Sequence, residues 1–351
     1  MGSLPVLPLG LELEPPPARW TPLDRRARGT EFVEIPVRTV LNSPGTTGMG
    51  FWSLNPYVGC ELGCTYCYAR DTHRWLTERA GGSESTPDAP VRGELPIPPW
   101  LQFERRILVK TVAADVLART LDPGKLGGRA LVIGTATDPY QPAERRYRLT
   151  RRVLERLLAY RGLSISITTK SPLVARDIDV LRRLGERHEV SVNFSLISLD
   201  ARLLRRLEPR SPAPRARLRA LARLTAAGVH AGVFIAPILP GLTDDRRTLD
   251  AVMAAARSAG ARYAIGMPLR LNPAARGRFL PFFEREFPEL AERYRRHYGE
   301  RANARRSYVE ALARRIRALQ RRHGFPVSGE RRRAGRPPRR EPAEPQASLW
   351  S

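Results

Sequence analysis

Lysine is nearly missing from this chain. Only Lys110, Lys125 and Lys170 occur in 351 residues, so 57 of the 60 basic residues are arginine. Acids are short as well: 35 against 60 bases leaves a formal charge of +25. The arginine preference, with abundant alanine and proline, reads as GC-rich coding bias, but bias does not explain the excess of base over acid. An excess of that size draws polyanions to the surface, so nucleic acid is an expected partner, although no reading motif accompanies the charge. No apolar run approaches the roughly 20 residues that span a bilayer, which points away from a membrane protein. The start, Met1-Gly-Ser-Leu-Pro, lacks the basic and apolar regions of a secretory signal. A reducing, cytoplasmic setting is expected. Cysteine is as scarce as lysine, with three in all, and a disulfide framework is excluded.

Those three thiols stand within eight residues, Cys60-Glu-Leu-Gly-Cys64-Thr-Tyr66-Cys67. A structural zinc site needs a fourth ligand, for which His73 is the nearest candidate, and such sites more often draw Cys pairs from two loops. An iron–sulfur cubane held by three thiolates instead keeps one iron open for another molecule. The spacing Cys-x-x-x-Cys-x-x-Cys, with an aromatic before the last cysteine, resembles the signature of the radical S-adenosylmethionine (SAM) enzymes. The resemblance implies a 4Fe-4S cluster on Cys60, Cys64 and Cys67, with SAM on the open iron. It also implies an electron donor of flavodoxin or ferredoxin type.

Along the chain, residues 1–30 read as a disordered, Pro-rich arm and residues 329–351 as a disordered tail. A core is expected over 31–275 and a helical C-terminal cap over 276–328, with a loop insertion near 81–90. Short β-branched runs at 131–135, 164–169, 190–196, 231–239 and 263–269 alternate with stretches of helical apolar spacing, and 53–57 supplies one more strand. Six alternations predict an α/β fold with a parallel sheet and right-handed crossovers. That count fits the partial (β/α)6 TIM-type barrel of the superfamily that the thiol run resembles.

In parallel α/β folds the site forms at the C-terminal ends of the strands. Those ends carry Thr137 and Asp138, Lys170, Asn193 and Ser195, and the Pro237–Gly241 turn. This set suits SAM. Thr137 and Ser195 would bond its ribose hydroxyls or amino group, and Lys170 would pair with its carboxylate. Pro237 would bring backbone up to the adenine, and Tyr66 would pack on the same base. Asp138 and Ser171 also fit as caps of the following helices.

Longer stretches sharpen the resemblance. Asn55-Pro-Tyr-Val-Gly-Cys60, Tyr66-Cys67-Tyr68-Ala-Arg70, Thr137-Asp138-Pro-Tyr-Gln-Pro, Thr169-Lys170-Ser171, Leu207-Glu208-Pro-Arg210 and Ala236-Pro-Ile-Leu-Pro-Gly are similar to the spore photoproduct lyase-like branch. The resemblance implies reductive cleavage of SAM to a 5′-deoxyadenosyl radical that abstracts hydrogen from substrate, with Tyr66 and Tyr68 as a catalytic relay. True photoproduct lyases carry a hydrogen-donating cysteine three residues before the strand-end aspartate. Here Thr135 stands in that position, so another substrate is implied.

The last residues, Gln346-Ala-Ser-Leu349-Trp350-Ser, resemble the peptide by which bacterial proteins dock on the DNA polymerase sliding clamp, with Leu349 and Trp350 as anchors and Gln346 orienting. The expectation is a radical SAM enzyme acting on nucleic acid, in DNA repair. The alternatives are radical SAM modification of RNA, protein or a small metabolite, and a non-catalytic, metal-stabilised nucleic-acid-binding module.

Overall fold

Period-two alternation builds the main sheet. In the segment Ser164–Thr169, Ile165 and Ile167 are buried on one face, while Ser164, Ser166 and Thr168 are half-buried on the other. The computed structural model describes residues 21–25, 29–72 and 99–327. Its strands, in chain order, are β1 (Thr21–Arg25), β2 (Glu31–Glu34), β3 (Leu41–Asn42), β4 (Trp52–Leu54), β5 (Tyr57–Val58) and β6 (Arg106–Val109). They continue with β7 (Leu131–Ile133), β8 (Ser164–Thr169), β9 (Glu189–Ser195), β10 (Ala231–Ile238) and β11 (Ala264–Pro268).

One sheet runs β11-β10-β9-β8-β7-β4-β3. Its six strands from β4 to β11 are mutually parallel, and β3 closes one edge antiparallel to β4. This is the expected six-strand partial barrel. Helices cover its outer face with leucine and valine: Leu149–Leu157 buries Val153, Leu154 and Leu157, and Ile178–Gly185 buries Val180, Leu181 and Leu184. Each such side chain contributes about 2 kcal/mol by leaving water. Asp200 and Asp245 cap the helices Ala201–Leu207 and Arg246–Ser258 through their side chains, which starts each helix where its strand-end loop stops. No helix among the described residues is long and apolar enough to cross a membrane.

The sequence reading missed a second sheet, ordered β1-β2-β6-β5. Three findings follow from it. The stretch 53–57, read as one strand, splits: β4 joins the barrel and β5 pairs antiparallel with β6. The split falls at Asn55-Pro56, where Lys110 N donates to Pro56 O at 3.2 Å. Residues 21–25, read as part of a disordered arm, form a strand on β2. The third is positional: β5 ends at Val58, two residues before Cys60, so this sheet anchors the thiol loop from outside the barrel.

Between the sheets lies Lys110, 1% exposed, whose Nζ donates to Asn55 O at 2.9 Å. Burial pulls its pKa from 10.5 down to about 8. Between those values the unfolded chain holds a proton that the folded chain has released, so stability rises with pH across that window. The expected result is a wild-type minus Lys110→Met stability difference that climbs by up to about 3 kcal/mol from pH 8 to 10.5, followed by urea unfolding. A flat difference would mean that the ammonium stays solvated.

The C-terminal segment, expected as a cap, divides its work. Helix Pro273–Glu286 reaches the thiol side, where Ala274 N donates to Asp71 at 3.0 Å. Helix Arg306–Arg322 runs along the flank instead: Gln320 donates to Ala264 O at 2.7 Å, and Ile316 lies over Gly266 of β11. At the end where the strands begin, the barrel holds a cavity of about 1050 Å³ lined by Ser164, Ser191, His230 and Phe234 among others, with no cysteine on its wall. His73, the loop near 81–90, and the docking peptide with Gln346, Leu349 and Trp350 lie outside the described residues.

Candidate functional site

The thiol loop, residues 59–67, is held from three directions. From β7's end, Thr137 Oγ1 donates to Gly59 O at 2.5 Å, Gln141 Nε2 donates to the same oxygen at 3.3 Å, and Glu61 N donates to Gln141 Oε1 at 2.9 Å. From the helix Pro99–Arg105, which leads into β6, Phe103 O accepts from Cys60 N at 2.8 Å. Gly59 makes that approach possible, with φ of +83° and room for no Cβ, which would stand 2.9 Å from Phe103 O. From the segment after β9, Leu207 O accepts from Thr65 N at 2.9 Å, and Arg210 donates to Glu61 O and, through its backbone, to Leu62 O. Arg70 donates to Cys64 O at 3.0 Å and pairs with Glu104, which also pairs with Arg210.

All three thiols are free; Cys60 and Cys64 are buried and Cys67 is half-buried. Burial pushes each pKa up, Cys64 to about 11, and the charges of Cys64 and Cys67 add to the rise at Cys60. Lys170 works the other way at Cys64 and Cys67, as does Arg70 at Cys67. Three thiolates buried in one loop need a positive partner, and a metal core would supply one, since a coordinating thiol is deprotonated outright. Among the described residues no three His, Cys, Asp or Glu side chains converge closely enough to hold a single metal ion. A three-thiolate cubane asks for something wider, one sulfur on each of three irons. The donor set fits such a cluster.

Lys170, at the end of β8, brings the strand ends to this loop. Its Nζ lies 5.8 Å from the centre of the Tyr66 ring and has no hydrogen-bond partner among the described residues. Burial opposes its charge, yet Cys64 and Glu208 outweigh burial and raise its pKa. Ser195, at the end of β9, donates to Ala236 O at 3.1 Å and so joins the strand carrying Pro237, which follows a cis peptide bond. Lys170, Tyr66, Ser195 and the Ala236-Pro237 backbone therefore share one end of the barrel with the thiols.

Three further residues expected to bind cofactor also make hydrogen bonds within the protein, as Ser195 does. Thr137 spends its hydroxyl proton on Gly59 O. Asp138 accepts from Tyr140 N, Thr169 Oγ1 and Lys170 N at 2.9, 2.7 and 2.8 Å, a brace between β7 and β8 that a buried carboxylate requires. Asn193 donates to Ser166 Oγ at 2.9 Å and Ile167 O at 3.0 Å, and accepts from Tyr263 OH at 2.6 Å. Tyr263 reaches it across Gly232, where a Cβ would stand 2.5 Å from the ring. Tyr68, 41% exposed, donates to Thr135 O at 2.5 Å. The Thr135 hydroxyl itself is bound to Ser53 Oγ at 2.5 Å and to Asn55 Nδ2 at 3.1 Å.

Sequence reasoning gave no role to Glu208 and Arg217. Glu208 accepts from Tyr66 OH and pairs with Arg217. Burial pushes its pKa up, but Arg217 and Lys170 hold the carboxyl below its ordinary value. The available signal was the Leu207-Glu208-Pro-Arg210 stretch, which matched a family pattern without revealing a partner 142 residues away.

The family model described as Radical SAM superfamily matches residues 54–252. An uncharacterized protein of Mycobacterium tuberculosis (strain H37Rv) is 34% identical over 293 residues, 83% of this chain and 80% of that one. An uncharacterized protein of Methanocaldococcus jannaschii is 28% identical over 214 residues, 61% of this chain and 70% of the other. A spore photoproduct lyase complexed with dinucleoside spore photoproduct superposes with a TM-score of 0.59 at 16% identity, covering 83% of this chain and 79% of the other. A variant of that lyase with bound AdoMet and the same dinucleoside gives 0.55 at 15% identity, with 78% and 74% covered. At such identities the likeness is one of fold.

Proposed function

From the premise that the chain belongs to the Radical SAM superfamily, we propose that it binds a 4Fe-4S cluster through Cys60, Cys64 and Cys67 and acts by hydrogen abstraction on a nucleic acid. The observation that carries the first half is Lys170. An ammonium without a hydrogen-bond partner, set over Tyr66 and interacting with Cys64 and Cys67, fits the SAM carboxylate. When bound, the cluster supplies the electron that splits SAM into methionine and a 5′-deoxyadenosyl radical. The chain's own residues orient and shield. Lys170 fixes the methionine end, Ser195 and the Ala236-Pro237 backbone offer polar contacts to the nucleoside, and Tyr66 closes the loop side.

The nucleic-acid half rests on the charge of +25 and on a fold shared with an enzyme solved with a dinucleoside photoproduct. Thr135 argues for a different lesion or base. Its hydroxyl is engaged with Ser53 and Asn55, and an O–H bond of this kind is too strong to donate a hydrogen atom to a carbon radical.

The test is anaerobic reconstitution with iron and sulfide, reduction with dithionite, and quantification of 5′-deoxyadenosine. Lys170→Met is expected to keep its iron while KM for SAM rises about 10- to 150-fold, the range of a lost charge-assisted hydrogen bond. Unchanged KM would remove Lys170 from the site. Ultraviolet-damaged DNA is expected to accelerate deoxyadenosine formation; stimulation by RNA, peptide or metabolite pools instead would reassign the substrate.

A further inference from the structure

Glu208 and Arg217 are 1% exposed or less, and both are charged. Burying an ion pair costs more than its attraction returns unless every donor and acceptor finds a partner, and an apolar pair of the same size often serves stability as well. Here the partners are found, and they lie in three different places. Arg217 Nε donates to Pro212 O at 2.8 Å, Nη1 donates to Ser195 O at 2.8 Å, and Nη2 donates to Glu208 Oε2. Glu208 Oε1 accepts from Tyr66 OH. The pair thus ties the end of β9 to the aromatic residue inside the thiol loop. The same segment grips that loop again through Leu207 O and Arg210.

The consequence is geometric. Tyr66 sits one residue before Cys67, and its ring lies beneath Lys170 Nζ. A shift of the phenol moves the Lys170 cradle relative to Ser195, and both contribute to the proposed SAM cradle. We propose that Glu208 and Arg217 are positioning residues that hold the thiol loop in register with the strand ends that receive SAM. This rests on the radical SAM reading and adds the requirement that SAM affinity depends on a buried charge pair that does not touch SAM.

The test is a double-mutant cycle between Tyr66→Phe, which cuts the link and leaves the ion pair, and Glu208→Gln, which keeps the shape and removes the charge. Reconstituted proteins are compared by iron content, by the equilibrium Kd for SAM from the SAM-induced change in the cluster's EPR spectrum, and by thermal melting. Each single variant is expected to keep its iron and to weaken SAM binding about tenfold, with the double variant no weaker than the worse single one. If Glu208→Gln does not fold, Glu208→Gln/Arg217→Met removes both charges, and the expectation is unchanged: normal iron, weak SAM. Variants that melt lower but bind SAM as wild type does would make the pair a fold element only and overturn the proposal. Additive losses would overturn the link through Tyr66. A wild type that takes up no iron overturns the functional reading itself, and is distinguished by failing before any variant is compared.

Discussion

Cys64→Ala is expected to abolish formation of 5′-deoxyadenosine and to release most of the iron, while the protein keeps its fold. The argument has two halves. A cubane with three protein thiolates has none to spare, and the chain has no fourth cysteine to recruit. The fold does not depend on this sulfur. The Cys64 sulfur makes one weak hydrogen bond, 3.7 Å to Ser211 Oγ, and truncating a small buried side chain costs only about 1 kcal/mol. Metal-free wild type and metal-free Cys64→Ala should therefore melt within a few degrees of each other. Iron retained with deoxyadenosine still produced would refute the cluster assignment. Loss of fold would mean that the thiol, not its metal, matters.

Gly134→Ala is expected to destabilise the protein strongly. Gly134 follows β7 with φ of +92°, and an added Cβ would stand 2.5 Å from Thr168 O and 2.6 Å from Pro139 Cδ. Backbone and a proline ring cannot step aside as the end of a lysine could. The strained conformation and the clash together should cost about 3 kcal/mol or more. The turn that would have to move carries Thr137, Asp138 and Gln141, so the hold on Gly59 and on Lys170 N loosens with it. Gly162→Ala is the control: its φ is +71° and nothing lies within 4 Å, so only the left-handed penalty of about 1 kcal/mol remains. Equal urea midpoints for the two variants would refute this account.

What could be read from the sequence was what repeats or clusters locally. The alternation in 164–169 and the helical spacing of Val153, Leu154 and Leu157 both appear where expected. The second sheet escaped because β5 has two residues and β2 four, too short for any period to register. Site roles were harder for a different reason. Thr137, Asp138 and Asn193 have the chemistry of ligands, and at a strand end that chemistry reads the same whether its partner is a cofactor or the protein itself, as with Thr137 and the backbone of Gly59, 78 residues away. Lys170 could be singled out as a candidate because it stands at a strand end. Glu208 was not, since only its contact with Tyr66 gives it meaning.

The anchoring of the thiol loop bears on how the proposed cluster would be acquired. In small metal-dependent domains the ion organises its own ligands, so binding free energy is spent on folding and removal of the metal unfolds the chain. Here the loop's hydrogen bonds run to Thr137, Gln141, Phe103, Leu207 and Arg210, all supplied by elements that the apolar core holds in place. The socket is preorganised by the protein. Little ordering entropy would remain to be lost on binding of the proposed cluster, so its binding energy would be available as affinity.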